Sequence, residues 1–176
     1  MRVDDDLVTY EDPVSGDRTT VNAGETSHTG IELGFGSQFI ETLRLDISYS
    51  YAKHIYENWV QSGTDFSGNE MVNAPRTIGN ARLAYRPGLL NGGRIELELV
   101  HLGSYWMDQA NTEKYGGYET FNLRMNHQVT AEFNVYARVM NLSDEKYATA
   151  ATLNRGNPEF APAMPRTFYA GIDLKF

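Results

Sequence analysis

The sequence predicts an all-β fold, an antiparallel up-and-down meander of about eight strands. Three observations predict it. Apolar residues recur at every second position through nearly the whole chain. No stretch shows the 3.6-residue period of an amphipathic helix. The segments between the alternating runs are too short for the crossovers that parallel strands need, so each strand is expected to pair with the next.

The elements follow in order. The first strand is read at 3–10 and the second at 18–36, where Ile31, Leu33 and Phe35 oppose Glu32 and its flanking glycines. The third, 42–56, places Leu43, Leu45, Ile47, Tyr49 and Tyr51 on one face and Arg44, Asp46, Ser48 and Ser50 on the other. The fourth, 76–86, sets Ala81, Leu83 and Tyr85 against Arg82, Ala84 and Arg86. The fifth, 94–106, sets Ile95, Leu97 and Leu99 against Arg94, Glu96 and Glu98. The sixth, 117–128, alternates Phe121, Leu123 and Met125 with Asn122, Arg124 and Asn126. The seventh, 131–142, alternates Phe133, Val135, Ala137 and Val139 with Asn134, Tyr136, Arg138 and Met140. The last, 167–176, carries Phe168, Ala170, Ile172, Leu174 and Phe176 on its apolar face.

The connections alternate in length. SQFIET, PGLLNGG and QVTA are short, whereas 57–75, 107–117 and 143–166 are long. In a meander, alternate turns lie at the same end, so one end carries short turns and the other long loops. EDPVSGD, between the first two strands, is the shorter exception at the long end.

Bulk composition narrows the classes. A net charge of −8 argues against non-specific nucleic-acid binding, which needs a basic surface. The absence of cysteine excludes disulfides and thiolate metal sites. No run approaches the ~20 apolar residues of a spanning helix. The acidic opening MRVDDDLVTY shows no signal-peptide pattern. Membrane β-barrels, however, give only a weak alternating signal in each segment. Alternation suits both a soluble β-sandwich and such a barrel. Tyr and Trp residues near strand ends favour the barrel, because their rings prefer the membrane–water interface.

The C-terminal motifs specify the barrel further. The tail YAGIDLKF places Tyr169, Gly171, Leu174 and Phe176 in the pattern of the C-terminal signal that the barrel-assembly machinery reads on outer-membrane proteins. Asn141, Leu142, Asp144 and Tyr147, followed by a long loop and then Pro165 and Arg166, resemble the last strands and last external loop of TonB-dependent outer-membrane receptors. Asn22, Gly24, Gly30 and Glu32 resemble that family's Asn-x-Gly … Gly-x-Glu strand. NAPRTIGNARLAYRP resembles a segment where an external loop re-enters the barrel. The resemblance covers essentially the whole chain.

The resemblance implies the C-terminal portion, 1–176, of a larger transmembrane barrel of about 22 strands, with the plug domain, TonB box and signal peptide absent. It implies location in the outer membrane of a Gram-negative bacterium, in contact with outer-membrane lipid. The full receptor would take up a scarce nutrient, a ferric siderophore foremost, through a plug and the TonB complex. The fragment would not transport alone. In the external loops, Trp59, Tyr105, Trp106, Tyr115 and Arg155 are the candidate ligand contacts: aromatics suit catecholate rings and arginine suits an anionic chelate. A self-contained small barrel, structural or adhesive, and a soluble β-sandwich binding module are the competing readings.

Catalytic chemistry is not expected. His28, His54, His101 and His127 show no metal-ligand spacing. The acidic run at 4–6 lacks the glycine and terminal glutamate of a calcium loop. No phosphate-binding loop or nucleophile elbow occurs. The chain is therefore read as no enzyme, with no cofactor and no resident metal.

Overall fold

The computed structural model describes residues 1–4, 7–11, 15, 17–22, 24–90 and 92–175. Its strands in chain order are β1 (Arg2–Asp4), β2 (Leu7–Glu11), β3 (Arg18–Asn22), β4 (Glu25–Ile40), β5 (Leu43–Asn58), β6 (Val60–Gln61), β7 (Thr64–Asp65), β8 (Thr77–Tyr85), β9 (Arg94–Leu102), β10 (Tyr105–Trp106), β11 (Lys114–Tyr115), β12 (Tyr118–Gln128), β13 (Phe133–Met140), β14 (Ala148–Asn154), β15 (Asn157–Pro162) and β16 (Thr167–Leu174). Eight of them form one antiparallel sheet in the order β1-β4-β5-β8-β9-β12-β13-β16. The other strands pair as four local hairpins, β2–β3, β6–β7, β10–β11 and β14–β15.

The eight-stranded meander agrees with the alternation in the sequence, and the strands at 42–56, 76–86, 117–128 and 131–142 shift only at their ends. Three expectations are corrected. The strand read at 94–106 leaves the sheet at Leu102, and Tyr105–Trp106 is the separate β10, paired with β11. The strand read at 3–10 is two elements: β1 lies at the sheet edge, while β2 pairs with β3 outside it. The strand read at 18–36 likewise divides into β3 and β4. Gly24 marks the break with φ +72, and a Cβ there would stand 2.9 Å from the Asn58 carbonyl oxygen. The first connection therefore runs from β1 to β4 as a long hairpin. The apparent exception in loop length disappears, and every long connection rises from the same end.

Three tight turns close the opposite end. In the first, the Arg86 N–H donates to Thr42 O at 2.8 Å, tying the β4–β5 turn to the end of β8. The second turns at Pro87–Leu90, closed by Leu90 N–H on Pro87 O at 3.0 Å. In the third, Thr130 Oγ1 accepts the N–H groups of Glu132 at 3.2 Å and Phe133 at 3.1 Å. β16 runs down to this end, where Lys175 N–H extends the ladder to Glu132 O at 2.9 Å.

Register carries the local alternation across the sheet, because directly opposed residues share a face. Leu45, Leu83, Leu97, Leu123, Val139 and Phe168 stand in one cross-strand row. Phe35, Ile47, Ala81, Leu99 and Phe121 form the next. This face is open: Ile31, Leu33, Phe35, Leu83, Phe168 and Ile172 all keep more than a third of their surface. No second layer of the described residues covers it, as the soluble sandwich reading would need. A continuous apolar face of this extent needs an apolar surrounding.

The other face is polar and paired. Glu98, 5 % exposed, accepts from Arg82 at 3.0 Å, Arg124 at 2.8 Å, Asn122 at 3.0 Å and Asn80 at 3.2 Å. Arg124 also donates to Glu96 at 3.1 Å, and Arg94 pairs with Glu96. Arg44 Nε donates to Asp46 at 2.8 Å one strand further on. Lower on this face, the Tyr136 ring lies over Gly171, its cross-strand neighbour. A Cβ at Gly171 would enter that ring, so glycine is what lets the aromatic cover β16.

The two faces predict opposite responses to charge. Leu97→Arg is expected to destabilise the folded chain in lipid vesicles by ~2–4 kcal/mol, the cost of a cation at mid-bilayer. Ser48→Arg, exposed on the polar face, is expected to cost less than ~1 kcal/mol. Urea unfolding of both variants in vesicles measures this, and equal losses would refute the facial assignment.

Candidate functional site

The long connections form one layer at the loop end of the sheet. Segment 59–76 is tied to segment 103–117 by main-chain and amide bonds. Asn111 exchanges two bonds with the Glu70 main chain, donating to Glu70 O at 2.9 Å and accepting Glu70 N–H at 2.8 Å. Asn69 Nδ2 donates to Gln109 O at 2.8 Å, and Asn73 N–H donates to Trp106 O at 2.9 Å. Asp108 holds the tip of the second segment, accepting Thr112 N–H at 2.9 Å and Glu113 N–H at 2.8 Å.

Segment 103–117 is tied in turn to segment 141–166 by two tyrosines. Tyr105 OH donates to Ala151 O at 3.1 Å and accepts Ala151 N–H at 2.8 Å. Tyr115 OH donates to Ala148 O at 2.7 Å and accepts Ala148 N–H at 3.1 Å. Their rings pack with Met107, Ala148 and Ala151 in a buried cluster. Removal from water, the largest effect, pushes the Tyr105 hydroxyl's pKa up and keeps it a donor.

The candidate ligand contacts therefore divide. Tyr105 and Tyr115 are buried with both hydroxyls committed to main chain. Trp59 is buried as well, stacked on Tyr56 with ring centres 5.7 Å apart. These three hold the loops together from within. Trp106 is partly open, with Lys114 Nζ 4.9 Å above its ring. Arg155 is exposed at the tip of the β14–β15 hairpin and reaches Ser15 O at 3.3 Å, which joins the first loop to the last. Loop layer and polar sheet face both present hydrogen-bonding groups, and on the sheet face Arg94, Glu96, Arg124, Asn126, Tyr136 and Arg138 line a depression. Among the described residues, no group of three or more His, Cys, Asp or Glu is assembled as a metal centre.

The family-like residues have local tasks. Asn141, 3 % exposed and at φ +53, closes the base of the last loop. Its Nδ2 donates to Glu145 O at 2.9 Å and to Met164 O at 3.2 Å, and its Oδ1 accepts Glu145 N–H at 2.9 Å. Leu142 N–H donates to Phe121 O at 2.7 Å. Asp144 accepts the Arg166 N–H at 2.9 Å and pairs with its guanidinium at 3.5 Å, so the loop's two ends are latched beside Pro165. The Tyr147 ring packs on Tyr118, centres 4.2 Å apart. Asn22 ends β3 opposite Leu7, Gly30 faces Ala52 and Glu32 faces Ser50. In the tail, Tyr169 OH lies 3.9 Å from Met164 S and Leu174 opposes Phe133. Phe176 lies outside the described residues.

With this geometry in place, comparison with known proteins assigns the family. Residues 1–142 match the TonB dependent receptor-like, beta-barrel family, and the chain belongs to it. It is 28% identical over 174 residues to the pesticin receptor of Yersinia enterocolitica, covering 97% of this chain and 24% of that protein. It is 26% identical over 164 residues to the vitamin B12 transporter BtuB of Photobacterium profundum, covering 92% of this chain and 23% of the relative. Among solved structures, the siderophore receptor PiuA from Acinetobacter baumannii superposes with a TM-score of 0.76 at 21% identity, over 90% of this chain and 23% of that one. The chain thus spans about a quarter of the length of the relatives it matches.

Two outcomes follow at the base of the last loop. Asn141→Ala leaves the Glu145 N–H and the Glu145 and Met164 carbonyls without their side-chain partner and is expected to cost ~1 kcal/mol, read by urea unfolding in detergent. The Arg166 N–H beside Asp144 holds its carboxyl below the usual aspartate range. A depressed folded-state pKa gives stability that is present above the unfolded-state pKa and is lost as pH falls through the folded value. Proteolysis within 145–163 is therefore expected to rise only below the ordinary aspartate range. Asp144→Asn is expected to show the faster cleavage already at neutral pH and no acid step.

Proposed function

We propose that this chain is the C-terminal portion of the barrel of an outer-membrane receptor of a Gram-negative bacterium. The full receptor takes up a scarce nutrient, foremost a ferric siderophore, in a TonB-energised cycle. The observation that carries the reading is the loop layer: three long loops, cross-bonded above a charge-paired face, make a rigid rim. Such a rim can hold a bulky anionic chelate by aromatic and guanidinium contacts, with Trp106 and Arg155 on its accessible side. The names of relatives that bind siderophores support the ligand class. The tail Tyr169, Gly171 and Leu174 fits delivery by the barrel-assembly machinery, and the open apolar face fits outer-membrane lipid.

In this reading, strands outside the chain complete the barrel. Among the described residues, Met1 and β1 bond only the loop end of β4, from Glu25 to His28, so most of β4 is an edge, as is the outer side of β16. In hydrocarbon, unpaired main-chain groups cost several kcal/mol each. A plug supplied elsewhere in the receptor receives the pull of TonB, and the chain alone moves nothing.

Growth under iron limitation tests this. In a host deleted for its siderophore receptors, the full receptor is expected to restore growth on at least one ferric siderophore and to lose that activity without its TonB. The 176-residue chain with an export signal is expected to restore none. Rescue by the chain alone would overturn the fragment reading, and failure of the full receptor across a siderophore panel would overturn the ligand class.

A further inference from the structure

Near the loop end of β4 and β5, His28 and His54 stand directly opposite each other. They lie on the face away from Ile31 and Tyr51, the polar face of the sheet. Their Nδ1 atoms are 2.7 Å apart, and the ring centres are 5.0 Å apart with planes tilted by 59°. A contact of that length requires that one Nδ1 carry a proton and the other present its lone pair. On the far side of the His28 ring, Nε2 is 3.1 Å from Thr26 Oγ1, and Thr26 is fully buried. Where His28 Nε2–H donates to that hydroxyl, Nδ1 of His28 is the bare acceptor. This is the tautomer that a metal ion takes, with the other ring nitrogen fixed by an outer partner.

We propose that His28 and His54 form a bidentate site for a first-row divalent transition-metal ion, copper(II) foremost. Bonds of about 2.0–2.1 Å at right angles place two imidazole nitrogens about 2.9 Å apart, close to the distance already present. Binding displaces the shared proton from His54 Nδ1, and His54 takes a proton at Nε2, so both rings ligate as neutral imidazoles and no net proton is released. Two ring nitrogens occupy adjacent positions of a square-planar ion, and water fills the rest. Imidazole and the order of divalent affinities favour copper(II) over zinc(II) in such a site. The frame is braced: Met71 N–H donates to His54 O at 3.0 Å, and the buried Tyr56–Trp59 stack adjoins Met71. His101 is a different case. Its Nε2 is 2.9 Å from Thr77 Oγ1 and its Nδ1 is 3.0 Å from Glu119, on the opposite face, so it meets a carboxylate and not a second imidazole. The site is independent of which nutrient the receptor carries.

Copper(II) chloride titrated into the full 176-residue chain in detergent micelles tests the proposal. One saturable equivalent is expected, with an electron paramagnetic resonance spectrum showing two coupled nitrogens. His28→Asn and His54→Asn are each expected to abolish it, and His101→Asn to leave it intact. Thr26→Val is expected to weaken it by about tenfold, as loss of an outer partner does. A readout without substitutions is the imidazole 15N spectrum of the wild-type chain with zinc(II), where the Nδ1 resonances of His28 and His54 are expected to shift together. Absence of a bound equivalent, persistence of binding in both single variants, or zinc(II) shifts confined to other histidines would overturn the site.

Discussion

A strand surrounded by hydrocarbon has no water to bond its N–H and C=O groups, so every one must find a partner on a neighbouring strand. This constraint organises the molecule. It makes the sheet a continuous antiparallel ladder from β1 to β16 and holds the side chains in alternation, broken only near the two ends of the β4–β5 pair among the described residues. The Leu45–Phe168 row exists because six strands keep that register without a slip. A one-residue shift in any of them would carry leucines to the polar face and arginines to the apolar one.

The polar face solves a second problem created by the first. Strands packed at ladder spacing bring arginines and glutamates of adjacent strands together whether or not they attract. Here signs alternate across the sheet: Arg82 faces Glu98, and Glu96 faces Arg124. Glu98 sits where two arginines and two asparagines converge, and its burial is tolerable because each oxygen is bonded. The next cross-strand pair, Arg124 opposite Arg138, is a like-charge contact, relieved as Arg124 turns to the glutamates and Arg138 lies 5.2 Å from the centre of the Tyr136 ring.

The loops take their order from the strands beneath them. Antiparallel pairing delivers all the long connections to one end, where side-by-side neighbours can bond. Asn111 and Asn69 join one pair of loops, and Tyr105 and Tyr115 join the next. Aromatics near strand ends thus serve two purposes that look alike in sequence. Tyr49, Tyr51 and Tyr85 are exposed beside the apolar face, whereas Tyr105 and Tyr115 are sealed inside the loop layer.

The sequence by itself determined the eight-stranded meander, its facing and the end at which the long loops gather, because a period of two is a property of adjacent residues; it did not show the hairpins within those loops. It also carried the Asn141–Asp144 and Pro165–Arg166 motifs, whose bonds lie within one loop. Only the tertiary structure divided β2 and β3 from the sheet, where the Asn58 carbonyl leaves no room for a Cβ at Gly24. It alone decided which aromatics are buried and brought His28 beside His54. Those partners lie 26 to 46 residues apart in the chain. Register chooses them, and register is settled by the cooperative pairing of whole strands rather than by any local run of residues.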